Sequence, residues 1–492
     1  MFHYLKQTMK HSAVYSFANL LQKGVGFLMI PVYTRFLSPT DYGVLEMLDL
    51  TMMVISMISG MKIGSAIVRF YYRYDSLEDK REVLSTGLIG ITFFALVMVA
   101  LFELLAKPIS GLVLGSAEYT HFFQIVFISI ALQTVAVVPE SLLLAKKKSI
   151  TFSTITLLTF VSYLSLNIVF IVVMKMGVMG MVLSTFITKI LNLSMLLVVT
   201  RGEYALRFSW VKFKSMVHYS LPLLPAGICM FAVHYSDRYF IQKFLTLEDL
   251  GIYSLGYKFG MIISMLVAQP IFRIWNAQRY EIAKLPDSDV VYGRMFTYIL
   301  SAFLFVGLII STLIDETVSI MAPESYQGAS GVVALIVVGY ILFGCASFNQ
   351  LGMYVGYKTK HLAYIQFATA VINFFLNVFL IKKYGIMGAA VSTLLTFMFM
   401  AYLSYFVSQK LVFVRFEYSR LIKLVGITVL VYSVSRFIDL PLLPSVLLKV
   451  VLLLLFPVLL YIFSFFNSGE KDKGRLIFRH LGHKLGVPTS GG

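Results

Sequence analysis

Charged residues are scarce in this chain. Asp, Glu, Lys and Arg make up 13% of its 492 residues, whereas 59% are hydrophobic, and the mean hydropathy is +0.84. A water-soluble globule of this size needs more polar surface than that. The shortage excludes a soluble globular protein and predicts a protein that lies in lipid.

Cysteines and catalytic motifs are also scarce. The two cysteines, Cys229 and Cys345, both fall in long apolar runs, where small packing residues are expected rather than a disulfide or metal ligands. A segment that begins at Gly352 is similar to a phosphate-binding loop, but its glycine spacing is one residue short. We therefore expect no catalytic residue, cofactor or metal site in this chain.

Long apolar runs dominate what is present. Each is about 20 residues or longer, the length that a helix needs to cross roughly 30 Å of hydrocarbon. They predict an all-α integral membrane protein with 14 transmembrane helices. The predicted spans are 12–36, 42–67, 83–106, 119–144, 150–174, 177–200, 216–242, 250–272, 295–314, 328–356, 361–381, 385–409, 420–438 and 446–466.

The distribution of positive charge predicts the orientation of these helices. The net charge is +17, and alternate connections place 28 cations on the side of both termini and seven on the other side. Cytoplasmic loops carry the excess of Lys and Arg, so both termini are predicted to be cytoplasmic. This topology accounts for most of the basic excess without a nucleic-acid partner.

An internal repeat relates two parts of the chain at a separation of 208 positions. RFLSPTDYGVL from Arg35 is echoed by KFLTLEDLGIY from Lys243, and GVMG from Gly177 by GIMG from Gly385. Six predicted helices separate the first copy from the second, so the two copies have the same orientation and predict two six-helix lobes related by a pseudo-twofold axis along the membrane normal. We place the N-lobe at 1–210, the C-lobe at 211–410, and two further helices with a cytoplasmic tail at 411–492. Two such bundles can rock about a central cavity, which predicts a transporter.

Three segments resemble the polysaccharide biosynthesis transporters. They are GFLMIPVYTRFLSPTDYGVL from Gly26, YSLPLLP from Tyr219 and SDRYFI from Ser236. This family of O-antigen and capsule repeat-unit flippases belongs to a superfamily that also contains multidrug and toxin extrusion transporters and lipid II flippases. The resemblance covers nearly the whole chain, and its motifs identify the family but not the sugar.

The resemblance implies a non-enzymatic function. The expected protein is a flippase of the bacterial cytoplasmic (inner) membrane that moves an undecaprenyl-pyrophosphate-linked oligosaccharide from the cytoplasmic to the outer leaflet. The expected partners are this glycan, membrane lipid, a polysaccharide polymerase and other assembly proteins. The coupling ion, H⁺ or Na⁺, stays open.

Basic residues within the predicted spans are the candidates for substrate binding. A charge at that depth is costly and usually faces a wet cavity or a partner, and a pyrophosphate is a natural partner for ammonium and guanidinium groups. We expect Lys23, Arg238 and Lys258 to contact the head group, with Lys62 lower on the path. Pairing with an acid is the alternative for each. Lys449 is expected to snorkel at a helix end.

Acidic residues of the same helices suggest a gate. Glu46 and Asp49 share a helix face, and Asp49 shifted by 208 positions falls next to Lys258. We therefore expect Glu46 or Asp49 to pair with Arg238 or Lys258 at an outer gate. The competing hypothesis makes Asp49 or Asp237 a proton or sodium site for antiport.

Two classes of function remain open on the residues alone. A lipid-linked oligosaccharide flippase needs a cationic cavity, whereas a cation-coupled drug antiporter of the same architecture should present an acidic or apolar pocket. Cations narrowly outnumber acids in predicted helices 1, 2, 7 and 8, and the resemblance favours the flippase. A membrane-bound glycosyltransferase or polymerase is disfavoured, because no predicted outer loop exceeds about 15 residues.

Overall fold

The computed structural model describes residues 24–205, 207–438 and 440–471, and all regular secondary structure in these ranges is helical. The α-helices in these ranges include α1 Ile30–Phe36, α2 Pro39–Ser59, α3 Ile63–Arg73, α4 Leu77–Leu104, α5 Ala106–Leu114, α6 Thr120–Ala145, α7 Ser149–Asn167, α8 Gly177–Thr200, α9 Trp210–Ser220, α10 Leu224–Phe244, α11 Leu247–Ile263, α12 Gln269–Ile282, α13 Ser288–Thr312, α14 Ile314–Met321, α15 Ser330–Asn349, α16 Leu351–Val355, α17 Lys360–Leu411, α18 Tyr418–Arg436 and α19 Leu442–Ile462. Short 3₁₀ segments and the π-helical turns Ile168–Val173 and Ser264–Ala268 connect some of them.

Eleven helical segments within these ranges are long and apolar enough to cross a membrane. The difference from the fourteen predicted spans arises at three places. Predicted spans 361–381 and 385–409 are two helices that meet at a kink at Gly385, whose backbone angles are non-helical (φ 60°, ψ −141°), and they count as the one 52-residue segment α17. Predicted span 216–242 is divided between α9 and α10 by a 3₁₀ turn at Leu221–Leu223, and much of predicted span 12–36 lies outside the described residues. The number fourteen and the side of the termini stay predictions.

The sequence repeat has a structural counterpart in the glycine pairs. Gly177 begins α8 with φ +57°, and Gly385, 208 positions later, kinks α17 with φ +60°, a region of backbone conformation that glycine enters without a Cβ clash. Three residues after each, a glycine packs against the preceding helix. A Cβ on Gly180 would lie 3.2 Å from the carbonyl oxygen of Phe170, and one on Gly388 only 2.0 Å from that of Leu380.

The described residues form two compact units. The first comprises the chain up to Lys258 together with Val318–Val332 and Ala363–Thr396, and the second comprises Phe259–Thr317, Val333–Leu362 and the chain from Phe397 onward. The lobe boundaries at 210 and 410 stay a prediction. The candidate site below lies within the first unit.

Candidate functional site

The helices that carry the site, α2 and α11, begin in the same way. Ser38 and Asp41 form a capping box at the start of α2, in which each side chain accepts a hydrogen bond from the other residue's backbone N–H. Thr246 and Asp249, the repeat equivalents, make the same two bonds at the start of α11. Because the boxes satisfy backbone donors that lack partners within the helix, they fix where each helix begins.

The first turns of α2 and α11 pack against each other without side chains at the contact. A Cβ on Gly43 would lie 2.0 Å from the carbonyl oxygen of Leu247, and a Cβ on Gly251 would lie 1.8 Å from that of Pro39. The two glycines are 208 positions apart, so the contact is reciprocal between the copies of the repeat. This close approach brings the acids of α2 near the cations of α10 and α11.

Arg238 on α10 is the centre of the candidate site. The residue is 2% exposed. Its Nε donates to Glu46 Oε1 at 3.0 Å, and its Nη1 donates to Asp237 Oδ1 at 2.8 Å and to the carbonyl oxygen of His234 at 3.0 Å. The guanidinium also stacks on Tyr257, with 3.9 Å between Cζ and the ring centroid. In this conformation two carboxylates occupy the arginine, so an anionic ligand reaches it only after these contacts open.

Asp237 contacts its sequence neighbour Arg238 although adjacent helical residues do not share a face. The contact forms because the carboxylate folds back to accept both the backbone N–H and the guanidinium of Arg238. The hydroxyl of Tyr253 on α11 donates to the other carboxylate oxygen. Asp237 is therefore part of the cluster. The sequence alone could not show this, because adjacent acidic and basic residues also occur in a local turn where neither contacts a partner.

Lys258 is the accessible cation of the cluster. Its Nζ donates to the hydroxyl of Tyr42 at 2.9 Å and lies 3.8 Å from Glu46 Oε2. The side chain of Lys258 is 42% exposed, whereas those of Arg238 and Glu46 are 3% and 11% exposed. Glu46 thus contacts both a buried arginine and a partly exposed lysine. The sequence did not single out Tyr42, and only the side-chain packing shows its role.

Asp49 lies one turn further along α2 and is exposed. It lines a hollow of about 20 Å³ together with Ser129, Tyr163 and Thr185, which come from α6, α7 and α8. No ion pair of Asp49 is found within the described residues. The structure therefore gives Glu46, and not Asp49, the direct contacts with Arg238 and Lys258.

Two residues predicted to bind substrate are not part of this cluster as the structure describes it. Lys62 is exposed and has left-handed backbone angles, φ 53° and ψ 24°, at the break between α2 and α3. Sixteen positions separate it from Glu46, which corresponds to roughly 24 Å of helix, so the structure does not bring Lys62 to the cluster. Lys23 lies outside the described residues.

The snorkelling expected of Lys449 is wrong. Lys449 is 4% exposed, and its Nζ donates to Glu316 Oε1 at 2.6 Å within the second unit. Ser445, one turn earlier on α19, donates to the same oxygen. The side chain of Lys449 is buried because Glu316, on the short helix α14, is its ion-pair partner. The sequence of α19 alone cannot show this partner.

A neutral polar network adjoins the cluster within the first unit. Ser236 donates to Asn373 Oδ1 at 2.8 Å and accepts from Asn377 Nδ2 at 3.2 Å, and Asn373 donates to Thr396 at 3.1 Å. These bonds join α10 to both halves of α17. Because Ser236 directly precedes Asp237, the network fixes the backbone that positions Asp237 and Arg238.

The arrangement pairs a partly exposed ammonium and a buried guanidinium with one shared carboxylate, and both cations are of the kind that binds anionic oxygens. In residues 24–205, 207–438 and 440–471 no group of three or more His, Cys, Asp or Glu side chains is placed to bind a metal.

Two solved structures with a similar arrangement of helices are membrane transport proteins by their titles. A lipid II flippase, MurJ, in an inward closed conformation superposes with a TM-score of 0.75 at 15% identity, covering 92% of this chain and 99% of that one. An inward-facing multidrug resistance MATE family transporter gives a TM-score of 0.58 at 14% identity, covering 80% and 93%. The fold is that of these multi-pass membrane transporters.

Sequence comparison gives the family. The profile of the polysaccharide biosynthesis protein family matches residues 8–275, which is more than half of the chain, and this chain belongs to that family. The succinoglycan biosynthesis transport protein ExoT of Rhizobium meliloti is 24% identical over 333 residues, covering 66% of this chain and 65% of ExoT. The probable low-salt glycan biosynthesis flippase Agl15 of Haloferax volcanii is 26% identical over 227 residues, covering 42% and 44%. The chain thus spans less than two thirds of the length of these curated relatives.

Proposed function

We propose that this protein is a flippase that moves a lipid-linked oligosaccharide across the bacterial cytoplasmic membrane by alternating access. The substrate class that fits is an undecaprenyl-pyrophosphate-linked repeat unit of O-antigen, capsule or a similar surface polysaccharide. Family membership and the flippases among the relatives support the general activity, and the ionic cluster around Glu46 supports the anionic head group.

The observation that carries the proposal is the difference in exposure between the two cations that share Glu46. The side chain of Lys258 is partly exposed, and its Nζ lies 3.8 Å from Glu46 Oε2. The side chain of Arg238 is buried, and its Nε lies 3.0 Å from Glu46 Oε1. A pyrophosphate that reaches Lys258 competes with Glu46 for the ammonium. The negative charge of the ligand also repels Glu46 and competes with it for Arg238, so ligand binding and opening of the cluster are coupled.

The direct test uses proteoliposomes that contain a fluorescent lipid-linked oligosaccharide and follows its appearance in the opposite leaflet. Lys258→Gln should slow transport about tenfold or more, since a hydrogen bond to a charged group contributes roughly 1.5–3 kcal/mol. Lys258→Arg should retain most of the rate because it keeps the positive charge. Lys107→Gln, which removes an exposed cation of α5, is the matched control and should transport normally.

The outcomes separate the head-group role from the function itself. Transport at the normal rate by Lys258→Gln would show that Lys258 does not contact the head group. If the unaltered protein moves no lipid-linked glycan but exchanges a cationic drug for H⁺ or Na⁺, the flippase proposal is wrong and the antiporter is the correct member of the superfamily.

A further inference from the structure

Two side chains of one helix in the second unit, far along the chain from the ionic cluster, each carry a buried hydrogen-bond donor. Trp275 and Arg279 are on α12, four residues apart and hence on one face of the helix. Trp275 is 1% exposed and Arg279 is 7% exposed. Both donors belong to the last three turns of a membrane-spanning segment that ends at Ile282.

Contacts with aromatic rings hold both side chains by their flat faces. The Arg279 guanidinium lies over Tyr354, with 3.8 Å from Cζ to the ring centroid, and the Trp275 indole stacks on Phe348 with 4.5 Å between centroids and 21° between planes. The N–H groups of a guanidinium and of an indole point outward in the plane of the group. Stacking therefore fixes the orientation of the two planar groups, and the N–H donors at their edges still need hydrogen-bond acceptors.

Acceptors for these edges are missing from the described part of the chain. Nε of Arg279 and Nε1 of Trp275 are fully buried without a hydrogen-bond partner there, and Arg279 forms none of the ion pairs found among the described residues. Arg420, also in the second unit, is the contrast. It is 8% exposed and has two carboxylate partners, Glu417 and Glu470, both at 2.9 Å. Its Nε is also buried without a hydrogen-bond partner among the described residues, so the difference between the two arginines is the ion pair that Arg279 lacks.

A buried cation without a counter-charge is costly, and so is a buried donor without an acceptor. One ligand group that accepts hydrogen bonds and carries negative charge removes both costs. A phosphate meets this requirement, because its several oxygens can accept from two donors at once.

The position along α12 selects the source of the phosphate. Arg279 lies three residues before the end of the helix at Ile282, or roughly 4.5 Å along its axis, and the topology predicted from positive charge places this end on the cytoplasmic side. Head groups of that leaflet lie at this level. We propose that Arg279 and Trp275 form a binding site for the phosphate group of a membrane lipid, either an anionic phospholipid or a lipid-linked pyrophosphate. Binding of an anionic phospholipid does not depend on the proposed flippase activity, whereas binding of a lipid-linked pyrophosphate rests on it.

The chain provides its own optical probe for this site. It contains two tryptophans, and the other one, Trp210, is 66% exposed. In a Trp210→Phe protein in nonionic detergent, the emission of Trp275 should change saturably with phosphatidylglycerol but not with phosphatidylcholine. A response to undecaprenyl pyrophosphate at much lower concentration would identify the lipid-linked pyrophosphate as the source. Inorganic phosphate alone should act only weakly, because it lacks the lipid anchor.

Variants test the two donors separately. In the same background, Arg279→Gln should weaken binding of phosphatidylglycerol about tenfold or more, whereas Arg294→Gln, at an exposed position of α13, should leave it unchanged. Trp275→Phe keeps the stacked ring but removes the donor. Followed by thermal shift, it should lower affinity a few-fold without lowering the unfolding temperature of the ligand-free protein.

Two results would overturn the proposal. One is an emission of Trp275 that responds to none of phosphatidylglycerol, undecaprenyl pyrophosphate and inorganic phosphate. The other is a response that persists in a folded Arg279→Gln protein, with folding checked by the thermal unfolding transition.

Discussion

Two buried ionic clusters among the described residues are built differently. In the first unit, Glu46 contacts Arg238 at 3.0 Å and Lys258 at 3.8 Å, and the side chain of Lys258 is 42% exposed. In the second unit, Glu316 contacts Lys449 at 2.6 Å, and their side chains are 9% and 5% exposed. One cluster has an open edge, whereas the other is closed.

This difference indicates which ion pair can exchange partners. A closed pair is difficult to separate, because each buried charge would lose the counter-charge that it contacts. A pair with an accessible lysine can lose one contact while water or a ligand replaces it. We therefore interpret the Glu316–Lys449 pair as a structural link between α14 and α19, and the Glu46 cluster as the one that can change with ligand.

The largest effect is expected from breaking the closed pair. Lys449→Met should lower the free energy of unfolding by about 3–5 kcal/mol, because it leaves the Glu316 carboxylate buried without its cation. The measurement is thermal or denaturant unfolding in detergent.

The double variant Lys449→Met, Glu316→Leu is the control for this prediction. It removes both charges and should recover most of the lost stability. If Lys449→Met alone unfolds like the unaltered protein, the pair does not link α14 to α19.

A smaller effect is expected from separating the helices that frame the open cluster. Gly251→Ala places a methyl group 1.8 Å from the Pro39 carbonyl oxygen, and such overpacking costs about 1–3 kcal/mol. Gly426→Ala on α18 is the matched control, since a Cβ there meets no atom within 4 Å and should stabilise the helix by about 0.5–1 kcal/mol. Equal effects of the two substitutions would show that the contact of α2 with α11 is not tight.

The smallest effect is expected within the open cluster itself. A double-mutant cycle of Glu46→Gln and Lys258→Gln should give a coupling energy below about 1 kcal/mol in unfolding experiments, because Lys258 is exposed and its contact is long. A coupling as large as that of Glu316 with Lys449 would remove the distinction between an open and a closed cluster.

Much of the helical architecture could be predicted from the sequence. Apolar run length located the segments that cross the membrane, and the 208-residue repeat anticipated the matched breaks at Gly177 and Gly385. The bend at Gly385 comes from the non-helical backbone angles of that residue, and the 3₁₀ turn at Leu221–Leu223 divides the predicted span 216–242. Both features depend on backbone geometry or tertiary neighbours rather than on hydropathy.

The candidate site was predictable in part. The repeat placed the acids of α2 near Lys258, since residues related by 208 positions lie at similar depth. It could not choose between Glu46 and Asp49, because that choice depends on how α2 is rotated against α10 and α11. The pair of Glu316 with Lys449 joins residues 133 positions apart, and no periodicity or motif connects them.

The reciprocal glycine contact restricts how this sequence can evolve. Each glycine is required by the main chain of the opposite helix, at the carbonyls of Leu247 and Pro39, and no mutation can make a main chain smaller. A larger residue at position 43 therefore has no compensating substitution at position 251, nor the reverse. We expect both positions to stay glycine in any descendant that keeps this crossing, however far the surrounding residues diverge.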